Sequence, residues 1–246
     1  GYSKLLAMIQ DYSKLMPTPE VIQKEFGMKP EEFDKQFLAW LDDQTSVTVK
    51  NFDQWRDGLK SVAESQRAKD WDAVIAKGLK IRDLYTDYVE AGSVYEFLAE
   101  AYINKDQKDK AMEQLALYAK VGGRSPGTLK RLAQLQTAAG QKEAAAATLE
   151  RLTLIYLKDE DEHKQLGDLY MEMGRPSLAI REFQAEVAMG PIDKAGAHYE
   201  LARALQAGNR IDEARDEVVT SLEAAPSFKP AQKLLLELET KKPEKK

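Results

Sequence analysis

The chain has 246 residues and no cysteine, and its 36 Lys and Arg against 41 Asp and Glu give a net charge of −5. This balance disfavours nucleic-acid binding, which depends on clustered Lys and Arg. The lack of cysteine excludes disulfides, thiolate metal sites and cysteine nucleophiles. No stretch reaches the roughly 18 consecutive apolar residues of a membrane span, so we expect no membrane insertion.

Residues 1–48 predict a small helical block of three segments, over 2–16, 18–26 and 30–43. Pro17, Pro19 and Pro30 separate the segments, because proline disfavours a helical conformation in the residue before it and opens a following helix. One apolar stripe on the third segment is the predicted core of the block: Phe33, Phe37, Trp40 and Leu41. Gly1 stands where an initiator Met would, so we expect a piece of a longer protein and leave its compartment open.

Residues 50–91 predict a further helix pair, either a degenerate first repeat or a capping pair. Apolar residues at helical spacing mark its two helices: Trp55, Leu59 and Val62, then Trp71, Val74, Ile75, Leu79 and Ile81. Residues 92–228 contain repeated units, described next, and the positions that define those units do not align cleanly with this pair.

Residues 92–228 contain four units that repeat at a fixed period. Their strings are Leu98-Ala99-x-x-Tyr102, Leu132-Ala133, Leu166-Gly167-x-x-Tyr170 and Leu201-Ala202-x-x-Leu205, whose small residues lie 34, 34 and 35 positions apart. An alanine follows each small residue by twelve positions, and a large apolar residue follows four later: Ala111 and Leu115, Ala145 and Leu149, Ala179 and Phe183, Ala214 and Val218. Such a unit predicts two helices joined by a short turn, with small residues where their backbones approach.

This pattern resembles the tetratricopeptide repeat (TPR) family, and residues 166–191 match it best, with Gly174 as the turn glycine and Pro191 as the closing proline. Gln136 replaces the aromatic residue in the second unit, Asn209 replaces the turn glycine in the fourth, and only the third and fourth units close with proline. The resemblance implies an all-α, right-handed superhelical array of antiparallel helix pairs. Residues 229–246 then predict a capping helix and a polar tail.

A second resemblance concerns the first block. Residues 1–8 and the string Phe26-Gly27-Met28-x-x-Glu31-Glu32-Phe33-Asp34-x-x-Phe37 are similar to the end of the catalytic region in bacterial peptidase MA-like proteins. These are zinc metallopeptidase-type proteins with a His-Glu-x-x-His helix upstream and tetratricopeptide repeats downstream. The resemblance implies that this chain begins just after a catalytic core.

The repeat resemblance also implies a concave groove lined by the first helix of each unit. The expected groove residues are Glu96, Glu100, Asn104, Lys130, Gln134, Thr137, Lys164, Asp168, Met171, Tyr199, Arg203 and Gln206. Tyr199 and Arg203 are the strongest candidates, because aromatic and arginine side chains most often carry binding energy. Gln134 stands where a clamp for a terminal carboxylate would need asparagine, which disfavours such a clamp. The alternative for all twelve is an ordinary solvated helix face.

The sequence gives little support for a catalytic site or a metal site. His163 and His198 lie 35 residues apart in one repeat column, so each is a packing histidine or, alternatively, half of a two-histidine metal site that lacks a third ligand. The acidic run 159–162 lacks the spacing of a calcium loop and is expected to cap a helix. The run 122–126 is expected to be an inter-repeat turn rather than a phosphate site, since no strand precedes it. No serine pairs predictably with either histidine.

The sequence therefore predicts a non-catalytic protein- or peptide-binding scaffold without cofactor or metal, forming the carboxyl-terminal accessory region of a larger zinc-peptidase-like protein. The alternatives are a structural spacer and a stand-alone adaptor with no link to a peptidase. The partner and the oligomeric state stay open.

Overall fold

A computed structural model describes residues 1–156 and 160–240, and all regular secondary structure in these residues is helical. The helices are α1 (Tyr2–Ser13), α2 (Thr18–Phe26), α3 (Pro30–Arg67), α4 (Trp71–Ile81), α5 (Val94–Asn104), α6 (Lys108–Lys120), α7 (Pro126–Ala138), α8 (Lys142–Ile155), α9 (Glu160–Glu172), α10 (Pro176–Ala188), α11 (Lys194–Ala207), α12 (Ile211–Ala224) and α13 (Lys229–Thr240), with a short 3₁₀ helix (Arg82–Leu84) after α4. The predicted all-α array of helix pairs is confirmed. The predicted polar tail, 241–246, lies outside the described residues.

The five pairs α3–α4, α5–α6, α7–α8, α9–α10 and α11–α12 share one type of turn. Each pair is joined by three residues, of which the middle one has a left-handed backbone with φ between 56° and 72°: Lys69, Asp106, Gly140, Gly174 and Asn209. In each turn the third residue donates its N–H to the carbonyl five positions earlier, at 2.8–3.0 Å. Asn and Asp tolerate this conformation better than other non-glycine residues, so Asn209 preserves the turn without glycine. The same turn at Lys69 favours the interpretation of residues 50–91 as a degenerate repeat.

The repeated columns of the sequence form the core. Ala111, Ala145, Ala179 and Ala214 on the second helices are completely buried. Because alanine adds only a methyl group, the neighbouring backbone can approach closely at these positions. The buried residues form two apolar clusters, one from Trp55 to Leu132 and the other from Leu129 to Leu238. The clusters meet at α7, which contributes residues to both.

The third predicted segment of the first block differs from the structure. It was expected to end at residue 43, but α3 continues to Arg67 and is 38 residues long. The predicted division between 1–48 and 50–91 therefore falls inside one helix. The prediction that this apolar stripe forms the core of the block is wrong, because Phe37, Trp40 and Leu41 are 47%, 57% and 37% exposed. The helical spacing of these residues was correct, but no helix of the described chain covers them.

The first two helices are held together by a charged contact. Asp11 on α1 is almost fully buried, and Lys24 on α2 donates to its Oδ1 at 2.5 Å. This hydrogen bond to the Lys24 ammonium holds the pKa of Asp11 below its usual value. Phe26 at the end of α2 packs against Phe33 at the start of α3, with ring centroids 4.9 Å apart. The block is therefore attached to α3 mainly at the first turns of that helix.

Candidate functional site

The first helices of neighbouring units share clefts, and most of the expected groove residues lie along them. We call the surface formed by α5, α7, α9, α11 and α13 the first-helix surface. One cleft, of about 390 Å³, lies between α5 and α7. Two further clefts, of about 390 and 410 Å³, lie on either side of Tyr199. The described structure therefore offers concave sites at both ends of the repeat array.

The cleft between α5 and α7 is lined by the expected residues Glu96, Glu100 and Asn104, and their polar groups are engaged within the chain. Asn104 donates its side-chain N–H to the Glu100 backbone carbonyl at 2.9 Å. Glu96 accepts from the backbone N–H groups of Gly92 and Ser93, at 2.9 and 3.1 Å, as part of a capping box at the start of α5. Its other oxygen accepts from the Thr128 hydroxyl at 2.6 Å. Glu100 accepts from Gln66 at 3.1 Å. Glu96 therefore joins α5 to α7 and stabilises a helix end.

The middle of the first-helix surface is tied by charge pairs. Lys130 on α7 lies 2.5 Å from the carboxylate of Glu162 on α9, which is only 2% exposed. Lys164 lies 3.7 Å from Asp168 one turn along α9. Glu162 belongs to the acidic run of the sequence, and α9 begins inside that run; residue 159 lies outside the described residues. Gln134 between these pairs is exposed.

Tyr199 and Arg203 stand on α11 beside an aromatic neighbour. The Tyr199 ring lies edge-on to Phe228, with centroids 5.4 Å apart, and the Arg203 guanidinium lies 5.9 Å from the Tyr199 ring centre. Arg203 also donates to Glu200 at 2.7 Å and is 46% exposed. Because Tyr199 lines both neighbouring clefts, a ligand in either would contact its ring. Tyr199 is partly buried, and it is the only aromatic residue among the twelve expected site residues.

The two histidines make equivalent contacts in adjacent units. His163 Nδ1 lies 2.8 Å from Glu182, and His198 Nδ1 lies 2.6 Å from Glu217, in each case between the first and second helix of one unit. The histidine side chains are 13% and 20% exposed. Within residues 1–156 and 160–240, no group of three or more His, Asp or Glu side chains is arranged to hold a metal ion. In the same residues, no helix is long and apolar enough to cross a membrane.

Comparison with known proteins bears on the fold. No sequence model of a known protein family matches the chain, and no curated protein does. Among solved structures, YrrB, described as a TPR protein with an unusual peptide-binding site, is similar over 72% of this chain and 89% of its own, with 15% identity and a TM-score of 0.52. The chain has a tetratricopeptide-repeat fold. The MamA protein is similar over 69% of this chain and 90% of its own, with 20% identity and a TM-score of 0.49. The first TPR of Spaghetti (RPAP3), bound to an HSP90 peptide, covers 47% of this chain and 90% of its own, with 16% identity and a TM-score of 0.43.

The tetratricopeptide-repeat columns extend one unit further than the sequence prediction placed them. Lys229, Pro230 and Lys233 on α13 line the cleft beside Tyr199 and Arg203, although this helix was assigned only a capping role. The missed signal was the repeat period itself. Glu96, Lys130, Lys164 and Tyr199 occupy the same position in successive units, and Lys233 lies 34 residues after Tyr199, at that position of one further unit. The last helix of the array therefore contributes two cations to the first-helix surface.

Proposed function

We propose that this chain is a protein- or peptide-binding scaffold whose main contact site is the pair of clefts around Tyr199. The observation that carries the proposal is the grouping of an aromatic pair, Tyr199 and Phe228, with Arg203 at the mouth of two concave sites. The peptide-binding site named for YrrB supports the same class of function on the same fold.

The physical reason lies in the kind of side chain that binds partners strongly. Tyr and Arg are enriched among residues whose truncation weakens binding most, because each combines a large contact area with few rotatable bonds or with several hydrogen-bond donors. Tyr199 is braced by Phe228, so its ring is already ordered before a ligand arrives. The first-helix surface near Glu96 and Lys130 is a weaker candidate, since both side chains are committed to contacts within the chain.

Selection from a library of random peptides, followed by fluorescence-polarisation titration of the selected peptides, tests this proposal. Tyr199→Ala and Arg203→Ala should each raise the Kd by about tenfold or more, as expected for central contact residues. Arg56→Ala is the matched control, because Arg56 is also exposed and pairs three residues back along its helix, with Asp53 at 2.9 Å. Equal effects of the Arg203 and Arg56 substitutions would place binding elsewhere.

The finer part of the proposal is that the chain is the carboxyl-terminal accessory region of a zinc-peptidase-like protein. The support is the resemblance of residues 1–8 and 26–37, which lie on α1 and at the junction of α2 and α3, within one small group of helices. Sequencing the coding region upstream of Gly1 tests it. A His-Glu-x-x-His helix with a downstream glutamate is expected; a signal sequence or more repeats alone would contradict the link.

A structural spacer is the second candidate, and the length of α3 favours it. The part of α3 that α4 does not cover, residues 30–52, spans roughly 34 Å at about 1.5 Å per residue. Such a rod would hold the first block away from the repeats. A peptide selection that yields no binder dependent on Tyr199 would favour this alternative.

A further inference from the structure

Two apolar faces near the start of the chain are uncovered. On α1, five large residues follow helical spacing along one side, with exposed fractions of 40% to 75%: Tyr2, Leu5, Leu6, Ile9 and Tyr12. On the first half of α3, seven large residues are 37% to 69% exposed: Phe37, Leu38, Trp40, Leu41, Val47, Val49 and Phe52. Single exposed apolar residues are ordinary, but two such groups on two neighbouring elements indicate an interaction surface.

The open face of α3 continues an interface that the chain already uses. Trp55 and Val62 on the second half of α3 are buried, and the Trp55 ring packs against Tyr85 and Tyr88 with centroids 5.0 and 4.7 Å apart. The same stripe runs back through Phe52, three residues before Trp55, and Leu41, a further eleven residues or about three helical turns before Phe52. Helix α4 has only 11 residues and cannot reach this part of α3. The uncovered half of α3 thus lacks the second helix that its other half has.

The size of the two faces matches a stable protein interface. With about 150–250 Å² for a fully exposed aromatic side chain and less for Val, Leu and Ile, the exposed fractions correspond to on the order of 1,000 Å². A standard interface takes roughly 800 Å² from each partner, whereas the largest apolar patch of a typical monomer is roughly 300–600 Å².

Neither charge nor length opposes the packing of α1 on the open half of α3. Lys4 is the only Lys or Arg of α1, and the only acidic residue of that helix, Asp11, is buried against Lys24. The open half of α3, residues 30–52, carries five acidic residues and two lysines: Glu31, Glu32, Asp34, Asp42 and Asp43 against Lys35 and Lys50. The exposed charge of α1 is therefore the single ammonium of Lys4, which lies 4.9 Å from the Phe26 ring centre, and the open half of α3 has a net charge of −3. At roughly 18 Å, α1 fits within the roughly 34 Å of that open stretch.

We infer that two copies of this chain form a dimer in which α1 of each copy packs on the open first half of α3 of the other. Such an arrangement is self-complementary, because one two-fold axis produces both contacts at once. Each α1 then takes the place on α3 that a second helix would occupy. The contact involves none of the residues of the clefts around Tyr199, so it is independent of the proposed binding function.

Light scattering coupled to size-exclusion chromatography tests the dimer on the chain as it is. The wild type should elute with twice the monomer mass of 27.7 kDa at micromolar concentrations. Ile9→Asp and Trp40→Asp should each weaken dimerisation by more than about tenfold, since each places a charge in an apolar contact. Both side chains are exposed in the single chain, so circular dichroism should show unchanged folding.

Ile192→Asp is the matched control, because Ile192 is 98% exposed and lies outside both faces; this variant should remain dimeric. Mixing the Ile9→Asp and Trp40→Asp chains should partly restore dimers, since the intact α1 of one fits the intact α3 of the other. A monomeric wild type, or a dimer unaffected by either substitution, would overturn the inference. No recovery on mixing would also overturn the pairing of α1 with α3.

Discussion

The packing of Gly167 against Phe183 makes a quantitative test of the repeat core. A Cβ atom added at Gly167 on α9 would lie 2.6, 2.8 and 2.9 Å from three ring atoms of Phe183 on α10. Carbon atoms in contact normally stay about 3.5–4.0 Å apart. The other units have alanine in this column but a smaller partner, as with Ala133 and Leu149 in the second unit. The glycine and the large ring are therefore a matched pair.

Two opposing effects set the result of Gly167→Ala. Overpacking a buried site costs about 1–3 kcal/mol, while replacing glycine in a helix interior contributes about 0.5–1 kcal/mol of stability. The two ranges combine to a net loss of about 0–2.5 kcal/mol in the free energy of unfolding. Because three ring atoms would lie under 3.0 Å from the new Cβ, we expect a loss in the upper part of that range, about 1–2 kcal/mol. Phe183→Leu alone should also cost about 1–2 kcal/mol through lost burial. The double variant rebuilds the pair of the second unit, so it should be more stable than the sum of the single effects by at least about 1 kcal/mol.

Urea unfolding followed by circular dichroism measures these differences. Gly127→Ala is the matched control, because Gly127 is also helical, on α7, and a Cβ there would meet no atom within 4 Å. Its stability should stay level or rise by up to about 1 kcal/mol. Additive effects of the Gly167 and Phe183 substitutions would refute the matched-pair explanation, as would a Gly167→Ala chain of wild-type stability.

Two further substitutions test buried polar groups in the second and third units. Thr148 donates to the buried Gln136 side chain at 2.7 Å, so Thr148→Val should cost about 1–3 kcal/mol. Thr153→Val, which removes only an exposed bond on the same helix, should change urea stability by less than about 0.5 kcal/mol; similar losses for both would contradict the prediction. Burial, and then the hydrogen bond to Glu150, raise the pKa of Tyr170 to about 12. Because this exceeds the unfolded pKa of about 10, its stabilisation is complete below pH 10 and is lost as the pH rises toward 12. Between pH 10 and 12, the free energy of unfolding of the Tyr170→Phe variant should therefore fall less than that of the wild type. An equal fall in both proteins would count against the raised pKa.

The helix pairs could be predicted from the sequence because their requirements are local and recur at a fixed distance. Where two helices of one unit approach, a small residue such as Ala99 or Ala133 is needed, and the turn between them needs a left-handed residue such as Gly140 or Asn209. Each unit contacts mainly its sequence neighbours, so these needs repeat at nearly constant spacing. The period therefore determined the fold of residues 92–228.

Only the tertiary structure decided what covers each helix face. The stripe containing Phe37 and Trp40 has helical spacing whether it is buried or exposed, so the sequence could not show that the first half of α3 is open. Glu96 was expected to face a ligand, but its carboxylate joins α5 to α7 through Thr128. Lys233 was assigned to a cap, yet it lies in the cleft beside Tyr199. Periodicity determines which residues share a face, whereas burial and partners depend on contacts between residues distant in the chain.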